Sequence, residues 1–147
     1  MMDTLEIDRV LAKVPGFLGA HAFNELPIKP SGDFSTVVNT NAEKGEHWLA
    51  IVRKHDKNYF IDSFGRPPND SLFSKDFRNI VKSYVGPMKC NTKWLQSLTS
   101  NACGMYCVYF IVELEKNSFN NIFKVFSDDF EKNDEYVEKY VHNYINI

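Results

Sequence analysis

Apolar residues recur along this chain with two periods, and each period predicts its own elements. Near the start, Ile7, Leu11 and Val14 fall at i, i+4 and i+7, with Asp3 at the cap position and Glu6 three residues later. That pattern predicts a short amphipathic helix, stopped by Pro15-Gly16. The stretch from Phe17 to Ser31 holds Gly19, Pro27 and Pro30 and reads as irregular loop, whereas Ser35-Thr-Val-Val-Asn39 has the β-branched content of a strand. Gly45 then breaks the chain. His47-Trp-Leu-Ala-Ile-Val52 and Asn58-Tyr-Phe-Ile-Asp62 are apolar without alternation and are joined by His55-Asp56-Lys57, which predicts a central antiparallel hairpin buried on both faces.

The helical period returns between Ser71 and Tyr84, where Phe73, Phe77, Ile80, Val81 and Tyr84 line one face before Gly86-Pro87. Met88 to Leu95 is expected to be extended. Asn101 can cap a helix from Ala102 to about Lys116 that is apolar nearly all round and therefore belongs in the middle of the molecule. Phe119 to Phe126 and Asp134 to Ile145 read as two further helices, the second capped by Asn133. With no internal repeat or linker, residues 1 to 147 are expected to form one α+β domain: a small, mostly antiparallel mixed sheet packed on a central buried helix, with flanking helices.

Composition narrows the class. The 147 residues carry 44% hydrophobic residues and 21 aromatics (Trp 2, Tyr 7, Phe 12), which excludes a disordered or collagen-like chain. Seventeen Lys and Arg against 19 Asp and Glu announce no basic face, so nucleic acid is not the expected partner. The longest apolar run, Ala102 to Val112, is 11 residues, short of the about 20 a membrane span needs. Acidic residues occupy the start where a signal peptide carries a basic region, which argues against secretion. Cys90, Cys103 and Cys107 are spaced by 13 and 4, matching neither a redox pair nor a zinc knuckle, and fit free thiols in a reducing compartment. No metal site is expected.

Among the three thiols, Cys103 falls in the opening turn of the buried helix, where unpaired N–H groups and the positive dipole end favour a thiolate. Gly104 removes side-chain bulk beside the sulfur and would leave room for a substrate. Cys107, one turn further in, reads as core. A thiolate nucleophile needs a base, and of His21, His47, His55 and His142 only His47 opens a central strand beside an aromatic residue. If the hairpin forms, Asp62 can present a carboxylate to His47, although a solvated strand-end acid is the ordinary reading of such a residue. Gln96, seven residues before Cys103, carries an amide that could donate to an oxyanion, but a loop glutamine alone means nothing.

Taken together, His47-Trp48, Phe60-Ile-Asp62-Ser-Phe-Gly65 and Gln96-Ser-Leu-Thr-Ser-Asn-Ala-Cys103-Gly104, in that order, resemble the adenovirus-type maturation cysteine proteases (the adenain family), relatives of the ubiquitin-like-protein-specific proteases. Phe17-Leu-Gly19 and Val37-Val-Asn-Thr40 are similar to segments preceding the family's histidine, and the resemblance covers roughly residues 4 to 116. It implies Cys103 as nucleophile, His47 as general base and later acid, Asp62 as orienting acid and Gln96 as oxyanion donor. Trp48 would wall the cleft, equally compatible with a plain core tryptophan, and Asn39 and Gly104 would contact substrate.

The resemblance further implies peptide hydrolysis without a cofactor, on viral capsid or core precursor proteins cut at Gly-Gly or Gly-X sites, in the virion or the infected cell. It brings two possible activators, a viral peptide tethered by a disulfide, for which Cys90 is the candidate, and DNA. Here the chain departs from the family: Cys90 lies only 6 residues before Gln96, the charge is slightly acidic, and the C-terminal part is shorter. A monomer is expected. The alternatives are a deubiquitinase- or deSUMOylase-like isopeptidase, an acetyltransferase using acetyl coenzyme A, and a catalytically inactive binding module.

Overall fold

A computed structural model describes residues 2–41 and 47–146; the expected break at Gly45 lies outside the described residues. The described residues fold as α+β, a five-stranded mixed sheet with four helices. The elements run α1 (Thr4–Leu11), β1 (Phe17–Ala22), β2 (Phe34–Asn39), β3 (Trp48–Lys54), β4 (Lys57–Ile61), α2 (Lys75–Val85), β5 (Lys89–Cys90), α3 (Cys103–Leu114) and α4 (Phe130–Ile145). Short 3₁₀ turns occupy Phe23–Glu25 and Asn121–Phe123.

The strands lie in the order β1-β2-β3-β4-β5. β2, β3 and β4 are mutually antiparallel, while β1 joins β2 and β5 joins β4 in parallel. Half of the strand neighbours are thus parallel, so "mostly antiparallel" describes only the three longest-paired strands. The second parallel pair requires a crossover, which α2 supplies.

Both faces of the sheet are covered, which is why its central strands read as continuous apolar runs. On one face Val37, Trp48, Ala50, Val52 and Ile61 pack against residues of α1, α3 and α4. On the other, Phe34, Val38, Leu49, Ile51 and Phe60 meet Phe77, Val81 and Val85 of α2. α3 is the innermost helix, with nine of its twelve residues buried.

Several expectations need correction. Phe17–Ala22 is a strand, not loop: its register slips between Phe17 and Ala20, and Gly19 sits at φ 101°. The Asp8 carboxylate accepts the Ala20 N–H at 2.7 Å and the Thr36 hydroxyl donates to the Gly19 carbonyl at 2.8 Å, so side chains complete the ladder across the bulge. α2 begins at Lys75 rather than Ser71, capped by Ser74. α3 starts from Ala102 with no side-chain cap, so Asn101 does not serve as one. Residues 119–126 hold only the 3₁₀ turn. α4 is capped by Asp129; Asn133 lies inside the helix, buried, and its amide bonds Ser127 and the Leu95 carbonyl. Among the described residues no helix is long and apolar enough to cross a membrane.

Candidate active site

The β3–β4 hairpin sets the first pair. Its two-residue turn holds His55 and Asp56 at φ 50° and 64°, the left-handed pair that matches strand twist. The ladder pairs Ala50 with Ile61, so the residue before β3 and the residue after β4 emerge at the same sheet end. These are His47 and Asp62. The His47 Nε2 and Asp62 Oδ1 atoms lie 2.6 Å apart, and both residues are buried. Thr40 N–H donates to the His47 carbonyl at 3.0 Å, which anchors the histidine backbone to the end of β2.

Cys103 is the first residue of α3 and reaches the same sheet end. The Trp48 backbone N–H lies beyond the last β3–β4 pair and points at the Cys103 Sγ, 3.5 Å away. The His47 imidazole lies near enough to interact with this sulfur, each group favouring charge on the other. Nε2 is engaged with Asp62, which leaves Nδ1 as the ring nitrogen free to serve the sulfur. One imidazole therefore joins carboxylate and thiol.

The electrostatics follow from that placement. Burial pulls the His47 imidazole down, but hydrogen bonds and charge from Asp62 and Cys103 outweigh it and raise the ring from 6.5 to about 9. Burial pushes the Cys103 thiol up; His47 above all, then the N–H groups of Trp48 and Gly104, bring it below its ordinary value. Burial likewise pushes Asp62 up, and His47 and Arg66 hold the carboxyl below its usual range. The three groups thus bias one another towards charge: the imidazole towards its cation, the carboxyl towards its anion and the Cys103 thiol towards thiolate.

Gln96 lies in the loop before α3 and is 1% exposed. Its Nε2 donates to the Ser100 carbonyl at 3.1 Å and approaches the Ser100 hydroxyl at 3.2 Å. A carbonyl only accepts, which fixes which amide atom faces Ser100 and leaves Oε1 for the Ser63 hydroxyl at 2.5 Å. The Ser63 carbonyl also takes the N–H groups of Leu95 and Gln96 at 2.8 and 3.2 Å. The oxyanion-donor candidate is thus fastened directly to the residue after the candidate acid.

The remaining expected site residues fall differently. Gly104 leaves no room for a substrate: a Cβ there would meet Met2 Cβ at 3.1 Å and Ile7 and Trp48 side-chain atoms at 3.6 Å, so the missing side chain lets α1 and Trp48 close on α3. Trp48 is a core residue whose indole N–H donates to the Met2 carbonyl at 3.1 Å. Asn39 is buried, and its Oδ1 accepts the Asn41 N–H at 2.9 Å, closing the turn after β2. Cys107 is core, its thiol driven well up by burial. Cys90 is half-buried on the edge strand β5, and all three cysteines are free thiols. His21 bonds the Leu18 carbonyl, His55 sits in the hairpin turn and His142 on α4, all away from the sulfur.

Five residues that sequence reasoning did not single out complete the site. Arg66 Nε donates to Asp62 Oδ2 at 2.7 Å, opposite the oxygen that meets His47. Asn91 clamps the Asp62 backbone, accepting its N–H at 3.0 Å and donating to its carbonyl at 2.7 Å. The Phe64 ring stacks on His47 at 5.0 Å between centroids. Gly65, at φ 70°, permits close approach of the 92–93 backbone: a Cβ would lie 2.8 Å from the Lys93 carbonyl. Asp134 of α4 accepts the Tyr106 hydroxyl at 2.7 Å and Ser97 N–H at 3.3 Å, bracing the Gln96 loop. Only Gly65 carried a local signal, a glycine after an apolar strand.

A groove of about 370 Å³ opens beside the imidazole, lined among the described residues by Thr40, Asn41, His47, Phe64, Arg66, Leu72, Phe73 and Ser74. Among the described residues no cluster of three His, Cys, Asp or Glu side chains could hold a metal ion. No model of a known protein family matches the chain, and no curated protein matches it.

Proposed function

We propose that this chain is a cysteine endopeptidase of the adenain type, cutting viral precursor proteins at Gly-containing sites. The observation that carries the reading is the single imidazole of His47, bonded to Asp62 at 2.6 Å and interacting electrostatically with the Cys103 sulfur at the start of a buried helix. The order His, Asp, Gln, Cys along the chain supports the same assignment.

In this mechanism the Cys103 thiolate attacks the scissile carbonyl carbon, and the carbonyl π electrons move onto oxygen. The oxyanion is met by the Cys103 backbone N–H at the uncapped end of α3 and by the Gln96 side-chain N–H that gives up the Ser100 hydroxyl for it. Collapse breaks the C–N bond as His47 Nδ1–H protonates the departing amine, leaving a thioester on Cys103. His47, now neutral, takes a proton from water; the hydroxide attacks the thioester, the acid product leaves, and the thiolate–imidazolium pair is restored. Asp62 keeps its charge throughout and steadies the imidazolium.

The test is cleavage of an internally quenched peptide containing Gly-Gly, read by fluorescence and by mass spectrometry of the new ends. Wild type and Cys107→Ala should cut it, and Cys103→Ala should not. Cleavage that survives Cys103→Ala would reject the nucleophile.

A further inference from the structure

The groove beside His47 has a charge character that the hydrolytic mechanism does not use. Arg66 enters it held between two rings, its guanidinium carbon 5.3 Å from the Phe64 centroid and 4.6 Å from that of Phe73. Only its Nε is spent on Asp62. The two terminal nitrogens, five donors less one, take no partner among the described residues and belong to a side chain that lines the groove. A guanidinium so confined has lost its rotamer freedom before anything binds.

Two further positive features border the same space. The His47 ring, charged at neutral pH, is one wall. Ser74, the cap of the eleven-residue α2, is another, so the positive end of that helix abuts the groove. No Asp or Glu side chain lines it among the described residues. The one carboxylate behind Arg66, Asp62, is wholly buried and already shared between Arg66 and His47.

The groove also has a side. It is lined by His47, by Phe64 stacked on that ring and by Arg66 bonded to Asp62, but not by Cys103 or Gln96, so it borders the Asp62 side of the imidazole. His47 delivers its proton to the departing amine, so the residues leaving with that amine run past the imidazole. We propose that Arg66 is a specificity-determining residue that selects an acidic side chain, Asp or Glu, in the first three positions on the leaving side of the scissile bond. This rests on the cysteine endopeptidase reading and adds to it the charge of the substrate. A carboxylate there receives the free guanidinium donors, and a lysine meets three positive neighbours.

The test uses the full chain and Gly-Gly peptides identical except for Asp, Ala or Lys at each of those three positions. Charged hydrogen bonds of this kind are among the strong ones, so at one position Asp should exceed Lys in kcat/KM by about tenfold or more. Arg66→Gln should slow every peptide, because Asp62 loses a partner, and should also collapse the Asp-to-Lys ratio towards one. Leu72→Glu, at the exposed rim and away from Asp62, should lower the same ratio. Cleavage with equal rates for Asp and Lys, or a preference for Lys, would overturn this proposal while leaving the endopeptidase reading intact. A ratio that survives Arg66→Gln would overturn it too. Cleavage of none of the peptides would instead reject the endopeptidase reading, and the proposal with it.

Discussion

Replacing His47 by Gln removes the cation that lowers the Cys103 thiol while keeping a polar side chain of similar length. The expected effect can be worked at about pH 6, where a thiol with the ordinary value of 9.0 is only about 0.1% ionised. A sulfur fully ionised by its imidazolium partner would present up to about 10³ times more thiolate than that. Nucleophilicity falls with basicity along a slope of about 0.5, which returns half of this gain on a logarithmic scale and leaves about thirtyfold. His47→Gln should therefore slow iodoacetamide alkylation of Cys103 at this pH, by up to about thirtyfold.

The assay is peptide mapping by mass spectrometry after timed alkylation, in a Cys90→Ser background because Cys90 is partly exposed. Cys107 is the internal control: it is 1% exposed and its thiol is raised by burial, so it should stay unlabelled in both proteins. Above about pH 9, where His47 is no longer a cation and the thiol ionises unaided, the two rates should converge. A loss smaller than about threefold at low pH would refute the reasoning, since the helix terminus and the Trp48 N–H would then suffice to ionise the sulfur.

Three other outcomes follow from the same geometry. Catalysis should persist through neutral pH and decline as pH rises through about 9, where His47 loses the proton it gives to the amine; Asp62→Asn should move that decline to lower pH, because burial then acts on the ring with less opposition, and an unmoved decline in kcat/KM would show that another group sets it. Gln96→Ala should cost about 10²–10³ in kcat, and a loss below about tenfold would place the oxyanion elsewhere. Gly65→Ala should destabilise the fold by about 2 kcal/mol or more, from its positive φ and the backbone 2.8 Å away, read as a lowered urea midpoint; an unchanged midpoint would contradict the close approach.

How much of this was legible in the chain depends on the range of the interactions. α1 declared itself because its capping box, Asp3 with Glu6, is local, and both reciprocal bonds form. The β3–β4 hairpin was legible from unbroken apolar runs around a short turn, and with it the approach of His47 and Asp62. β1 was not, because Gly19 interrupts its pattern and the repair comes from Asp8 and Thr36, on other elements. Asn133 looked like a cap from its position before a periodic run, but its amide is spent on Leu95, 38 residues away. Arg66 and Asn91 followed no periodicity at all; each matters only through Asp62. Gly104 was misread because the space it leaves is filled by Met2, Ile7 and Trp48, none of them near it in sequence.

The site divides into two halves that the fold positions by different means. Thiolate formation depends on α3 and β3, held together by the apolar face that Trp48, Ala50 and Val52 share with α3. Placement of the amide depends on the short turn after β4, where Ser63 binds Gln96 through two hydrogen bonds and Leu95 through a third, and Gly65 lets the 92–93 backbone approach. Asp62 belongs to both halves: its Oδ1 meets the imidazole, and its backbone is clamped by Asn91 on the strand side of the same turn. Damage to the turn should therefore depress turnover more than it depresses alkylation of Cys103, because the sulfur keeps Trp48, Gly104 and the helix terminus as partners. Damage at His47 should depress both together. That contrast separates generating the nucleophile from receiving the oxyanion, and it follows from which residues reach the sulfur and which reach the amide.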